Sequence, residues 1–198
     1  MYELPKSITI KDTEYPIRND GDYRMVLDCF SALQDIELDE QQRLIVSLAI
    51  FYNDVVSLDT LDNVFNEDNI EEAIQGMFDF FRCNDKMNVA KNNYKLIDWE
   101  QDEQLIVSAI NNVAKTEIRA VPYMHWFTFI SYYGAVGEST LSSVVSIRSK
   151  LKKGKKLEKY EQEFKRDNPE YFVWNSKTVE DKEIEDWVMS MWNKGKEE

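Results

Sequence analysis

The sequence predicts a mainly α fold, a multi-helix bundle with a short β-hairpin at its N-terminus and an amphipathic helix at its C-terminus. Three observations lead there. Gly and Pro together make up ten of 198 residues, roughly 5% against a usual ~12%, which is too few turn-formers for an all-β chain. Apolar residues recur at three-and-four spacing from about residue 40 onward, the mark of amphipathic helices. Only residues 4–17 alternate with a period of two.

The first strand runs from Leu4 to Ile10, a polar turn over Lys11 to Glu14 follows, and Tyr15 to Ile17 returns, with Pro16 confining that strand to an edge. Asn19 to Asp22 is a helix-starting cluster. Asp39 opens a run in which Leu44, Leu48, Phe51 and Val55 share a face with Ile45 and Ala49. Ile70, Ala73, Ile74, Met77, Phe78 and Phe81 repeat the spacing. Leu105, Ile106, Ala109, Ile110 and Val113 do so again, with Asp98 and Asp102 placed to favour a helix N-terminus electrostatically. Pro122 marks a boundary. In the aromatic stretch from Tyr123 to Tyr133, Trp126, Phe127 and Ile130 face a core. Gly134 to Gly137 ends that helix, Ser139 or Thr140 caps the next, and Leu141, Val144, Val145, Arg148 and Leu151 continue the period. Leu157, Tyr160 and Phe164 form a thin apolar stripe on a charged helix that stops before Pro169. A linker over 175–178 leads to a last helix with Ile184, Trp187, Val188, Met191 and Trp192 on one face. The chain thus divides into a helical domain with its hairpin, 1–151, and a charged helix, linker and amphipathic end helix, 152–198.

Composition excludes whole classes. With 43% hydrophobic residues and 25 aromatics, the chain can fill a core and is no disordered acidic tail. Cys29 and Cys83 form no CxxC pair and the start carries no basic signal-like segment, so a reducing, cytosolic setting is expected. No apolar run approaches the ~20 residues of a bilayer crossing, so no membrane partner is expected. The net charge of −13 is uneven: residues 1–114 hold 23 acidic and 9 basic side chains, the remainder 14 and 15. A basic run, Arg148, Lys150, Lys152, Lys153, Lys155, Lys156 and Lys159, stands out in the second part. It reads as a solvated helix connection or as an internal partner for the acidic part, since the overall charge opposes a nucleic-acid binder.

The search for chemistry returns no catalytic, cofactor or metal residues, and the chain reads as no enzyme. His125 is the single imidazole, and no nucleophile motif accompanies it. Gly137-Glu138-Ser139 begins like a nucleophile elbow but lacks the second glycine. Residues 62–67 resemble a calcium loop with Val64 at a ligand position and Glu67 where glycine is needed. Gly134 to Gly137 spells GxxG, a backbone clamp in one RNA-binding module, yet its apolar interior suits a helix-to-helix turn. The stripe Trp187, Val188, Met191 and Trp192 is the best candidate binding feature, either packed on the domain or docked into a partner or a second protomer.

Three segments read together as a resemblance. They are Leu4-Pro5 with Ile8 to Ile10, Glu14 to Ile17 and Asp22 to Arg24; Asp98 to Asp102 leading into Ile106; and Met124 to Phe129 leading to Ile147, Arg148 and Ser149. In this order they resemble the bacteriophage gp-fifteen family, small acidic tail proteins of long-tailed phages and prophages of Gram-positive bacteria. The likeness covers roughly 4–165. Its most specific part is His125, Trp126, Phe129, Ile147 and Arg148, taken as structural; Met124 stands where the family favours Leu and Phe127 where it favours Trp. Genes of the family lie between the major tail and tape measure proteins. The resemblance implies a non-enzymatic tail assembly chaperone of the host cytoplasm, binding the tape measure protein and other tail proteins, with self-association open. In that reading apolar surface on the 70–81 and final helices makes the contacts, and the acidic part keeps the complex soluble. The alternatives are a minor structural protein of the tail or virion, and a small phage enzyme using His125.

Overall fold

A computed structural model describes residues 3–55, 58–66, 68–83 and 96–174 of the chain. The terminal stripe of Trp187, Val188, Met191 and Trp192 lies outside these residues. The described residues group into two units that interleave in sequence, one drawn from Met1–Ala90 and Val121–Ser131, the other from Lys91–Ala120 and Tyr132–Glu198. The architecture is mainly α with one N-terminal hairpin.

The hairpin consists of β1, Ser7–Ile10, and β2, Thr13–Pro16, paired antiparallel with Ile8 opposite Tyr15 and Ile10 opposite Thr13. Its turn is two residues long, shorter than the sequence suggests. Lys11 and Asp12 both adopt positive φ, 45° and 66°, which matches the twist of the strands without an Asn-Gly pair. Pro16 sits opposite Ser7 at the strand end, where a missing N–H does no harm.

Six further helical segments follow the hydrophobic spacing closely. They are α1, Tyr23–Leu33; α2, Glu40–Phe51; α4, Ile70–Phe81; α5, Glu103–Ala114; α6, Trp126–Gly134; and α7, Thr140–Lys152. Two shorter ones are α3, Leu58–Val64, and α8, Lys159–Asp167. Local chemistry starts them. The Asp22 carboxylate accepts from the Arg24 N–H at 2.9 Å, and Asp39 with Gln42 and Ser139 with Ser142 form reciprocal capping boxes.

In the first unit α1 packs on α2 and β1 lies on α4. Phe51, Tyr52, Met77, Phe80 and Trp126 are fully buried there. Tyr52 donates its hydroxyl to the Ala73 carbonyl at 2.8 Å, so the ring is buried without stranding its oxygen. In the second unit α5 packs on α7, with Ile106, Ala109, Ile110, Ile118, Leu141, Val144 and Ile147 buried.

Several faces differ from those the spacing predicts. Val55 is buried but lies beyond the end of α2. On α6 the fully buried pair is Trp126 and Phe129, while Phe127 and Ile130 are half-buried. On α7 Ile147 joins the interior while Leu151 is exposed, and Tyr160 on α8 is 68% exposed. On α4 Ala73, Met77 and Phe80 are inaccessible, while Phe78 is half-buried.

Candidate functional site

His125 and its neighbours stitch residues 121–131 onto the N-terminal segment of the first unit. Asp22 and His125 form an isolated antiparallel bridge. The Tyr23 N–H donates to the Met124 carbonyl at 2.9 Å, and the Met124 N–H donates to the Asp22 carboxylate at 2.9 Å. The same carboxylate caps α1 and pairs with Arg24 at 3.0 Å, and Arg24 also donates to the Val121 carbonyl at 2.7 Å.

The imidazole itself is 1% exposed. Its Nδ1 accepts from the Phe127 N–H at 3.0 Å, which places the proton on Nε2 to donate to the Pro5 carbonyl at 2.9 Å. Burial holds its pKa below the ordinary value. A neutral ring with both nitrogens engaged has no free nitrogen for proton transfer. Gly21, at φ +79°, leaves it room: a Cβ there would stand 3.0 Å from His125 Nε2 and 2.7 Å from Phe80 Cζ. Next along, Trp126 donates Nε1–H to the Phe81 carbonyl at 2.9 Å, and Phe129 stacks on Tyr23 with centroids 4.5 Å apart.

Arg148 is the corresponding centre of the second unit. Its guanidinium pairs bidentately with Asp102, at 2.5 and 2.9 Å, and donates to the Leu96 carbonyl at 3.0 Å and the Tyr171 carbonyl at 2.8 Å. Trp174 covers it, with the ring centroid 4.2 Å from Cζ. The Asp102 carboxylate also accepts from the Asp98 N–H at 3.0 Å. Asp98 and Asp102 are therefore not merely a negative helix start; both are buried, and Asp102 neutralises Arg148. Among the described residues no buried side-chain N or O atom lacks a partner.

The basic run thus separates by role. Arg148 is internal, answering an acid of the first 114 residues, and Lys150 pairs with Glu161 at 2.7 and 2.8 Å, which holds the Glu161 carboxyl below its ordinary pKa. Lys152, Lys153, Lys155, Lys156 and Lys159 are exposed. Sequence reasoning missed Asp22 and Asp102 as carboxylate partners and Arg18 altogether. Arg18 donates to the carbonyls of Ala49, Ile50, Tyr52 and Val55 at 2.8–3.1 Å, placing a cation on the α2 C-terminus.

The open surface of the first unit carries a groove of about 580 Å³. Asp20, Asp22, Asp28, Arg24, Met25 and Tyr123 line it. Cys29 is buried, and desolvation raises its thiol pKa far above the ordinary value, which leaves it unreactive. Among the described residues no three His, Cys, Asp or Glu side chains gather where a metal ion could sit. No helix among them is long and apolar enough to cross a membrane.

His125, Trp126 and Phe129 therefore belong to the first unit, and Ile147 and Arg148 to the second. No curated protein and no solved structure matches the chain. The family model described as Bacteriophage Gp15 protein matches residues 1–172, a span that contains both buried centres, and the chain belongs to that family.

Proposed function

We propose that this bacteriophage protein is a non-enzymatic tail assembly chaperone that binds the tape measure protein before the tail tube encloses it. One observation carries the reading: the groups that could have done chemistry, His125 and Arg148, are buried with every polar atom engaged. What such a molecule presents to others is its surface, and that surface is strongly acidic over residues 1–114. A long helical client with exposed apolar stripes stays soluble when a highly charged partner covers them, because like-charged complexes repel one another. The stripe of Trp187, Val188, Met191 and Trp192 is the segment we assign to apolar contact with the client. The protein acts in the host cytoplasm and leaves before the particle is complete.

Co-expression with the tape measure protein of the same phage tests this. A soluble complex that co-purifies is expected, together with absence of the protein from purified particles by mass spectrometry. Unchanged client solubility with no complex recovered defeats the chaperone reading, and stoichiometric presence in the particle replaces it with a structural role.

A further inference from the structure

The lysine turn between α7 and α8 is a built surface that the fold of its own unit leaves uncovered. The Lys155 N–H donates to the Lys150 carbonyl at 2.8 Å and the Gly154 N–H to the Leu151 carbonyl at 3.1 Å, with Gly154 at φ +63°, a closed helix terminus. Downstream, the Glu161 carboxylate accepts from the Glu158 N–H at 2.9 Å while gripping Lys150, which fixes the start of α8. Lys152, Lys153, Lys155, Lys156 and Lys159 are exposed on this ordered backbone, and no ammonium group among them makes a hydrogen bond or ion pair with the described residues. Five lysines against Glu158 give the stretch 152–159 a net charge of +4.

The described part of the second unit ends close to this turn. The Tyr171 carbonyl accepts from Arg148 at 2.8 Å, the Val173 carbonyl accepts from the Gln101 side-chain amide at 2.8 Å, and the Trp174 ring centroid lies 4.2 Å from Arg148 Cζ. Trp174 is therefore anchored on Arg148 of α7. Lys152 follows Arg148 on the same side of that helix, about one turn or 6 Å further along. Beyond Trp174 the sequence becomes acidic: residues 180–186 hold Glu180, Asp181, Glu183, Glu185 and Asp186 against Lys182, a net charge of −4. The stretch from Trp174 to Glu180 reaches about 20 Å when extended, more than enough to bring these acids to the lysines.

We propose that residues 180–186 dock on the lysine turn of the same molecule, an acidic segment closing on a basic turn. The two charges match in size and are opposite in sign. Single exposed ion pairs contribute little, so the contact depends on several acting together and weakens with salt. The short tether holds the segment at an effective concentration of about millimolar, above what a second copy reaches in a micromolar solution. A nucleic acid lacks that tether and meets a chain whose net charge of −13 repels phosphate. The ordered turn leaves little backbone entropy to oppose docking on its side. Trp187 follows Asp186 directly, so the contact sets where the stripe of Trp187, Val188, Met191 and Trp192 is presented. Use of that stripe on a client rests on the chaperone reading; the contact itself does not.

Acylation of the full-length protein with an N-hydroxysuccinimide ester, read lysine by lysine in mass spectrometry, tests it. The parent is compared with Glu180→Gln/Asp181→Asn/Glu183→Gln/Glu185→Gln/Asp186→Asn, which keeps every lysine, and the exposed Lys115 of the same unit is the reference. A segment docked about three-quarters of the time leaves about a quarter of the turns open. The five lysines should then react about fourfold more slowly in the parent than in the variant. About 0.5 M salt should remove the difference, and roughly hundredfold dilution should leave it unchanged because the contact lies within one chain. Equal rates in the two proteins, or protection that ignores salt, overturn the proposal. So does protection lost on dilution, which assigns the turn to a second copy, or lost on nuclease treatment, which assigns it to a nucleic acid. No client is present in this measurement, so failure of the chaperone reading leaves its outcome unchanged.

Discussion

Replacing Arg148 by Met strands a carboxylate inside the second unit. Arg148 and Asp102 are 4% and 1% exposed, so neither charge has water to fall back on. The guanidinium makes four hydrogen bonds, two to Asp102 and one each to the Leu96 and Tyr171 carbonyls. Removing one partner of a buried pair costs about 3–5 kcal/mol, and the two abandoned carbonyls push Arg148→Met toward the upper end. That is a loss of about two to four powers of ten in the folding equilibrium of the unit. Urea unfolding followed by tryptophan fluorescence reads it, because Trp99 and Trp174 belong to this unit. With a slope of about 1.5 kcal/mol/M, the midpoint of its transition should fall by about 2–3 M. Adding Asp102→Asn removes the stranded charge yet keeps an oxygen for the Asp98 N–H, and should recover about 1–3 kcal/mol. A single variant that loses less than about 1 kcal/mol, or a double variant that recovers nothing, would refute the reasoning.

Three further outcomes follow from the first unit. His125 has a folded pKa held below its ordinary 6.5 by burial, so its contribution is full above that pH and declines as pH falls below it; the parent should lose stability as pH falls below about 6.5 by a margin that His125→Gln abolishes, and equal slopes in both proteins would exclude the mechanism. Arg18→Met uncovers four carbonyls at the end of α2 and should cost about 2–3 kcal/mol in urea unfolding, with Arg18→Lys restoring only part; a loss under about 0.5 kcal/mol contradicts the capping role. Gly21→Ala should cost about 2–4 kcal/mol, from positive φ and a 2.7 Å approach to Phe80, whereas Gly137→Ala meets nothing within 4 Å and should shift the thermal midpoint little; similar midpoints for the two would defeat the steric argument.

Local chemistry was legible in the sequence and long-range chemistry was not. Asp39 and Ser139 announce their helices because a cap is closed within three residues. The alternating start of the chain marks the hairpin, but its turn is displaced because Lys11 and Asp12 take a conformation that glycine or asparagine usually signals. The spacing of Leu151 and Tyr160 continues a helical stripe past the point where neighbours exist to cover it. Asp102 resembles an ordinary helix-start acid, and only the arrival of Arg148, 46 positions later, turns it into a buried counter-charge. Arg18 gives no signal at all, since its partners are backbone carbonyls 31 to 37 residues away.

The spacing of the His125 segment has a tertiary explanation that separates fold from recognition. Residues 121–131 join a unit otherwise built from the chain before residue 90, and three successive grips hold them: the His125 ring on Pro5, the Trp126 indole on the end of α4, and Phe129 on Tyr23 of α1. Met124 contributes apolar bulk and two backbone bonds, to Asp22 and Tyr23, which any apolar residue supplies equally well. Phe127 offers an aromatic edge to His125 and its own N–H to Nδ1. The demand at these positions is thus for shape and backbone pairing, and nothing in it selects a partner. Substitutions at His125, Trp126 or Phe129 should therefore lose thermal stability and partner binding together. Changes at the exposed Lys152, Lys153 or Lys155 should leave the thermal midpoint within a few degrees. Binding lost at His125 with the midpoint intact would place the motif in the recognition surface and reverse this assignment.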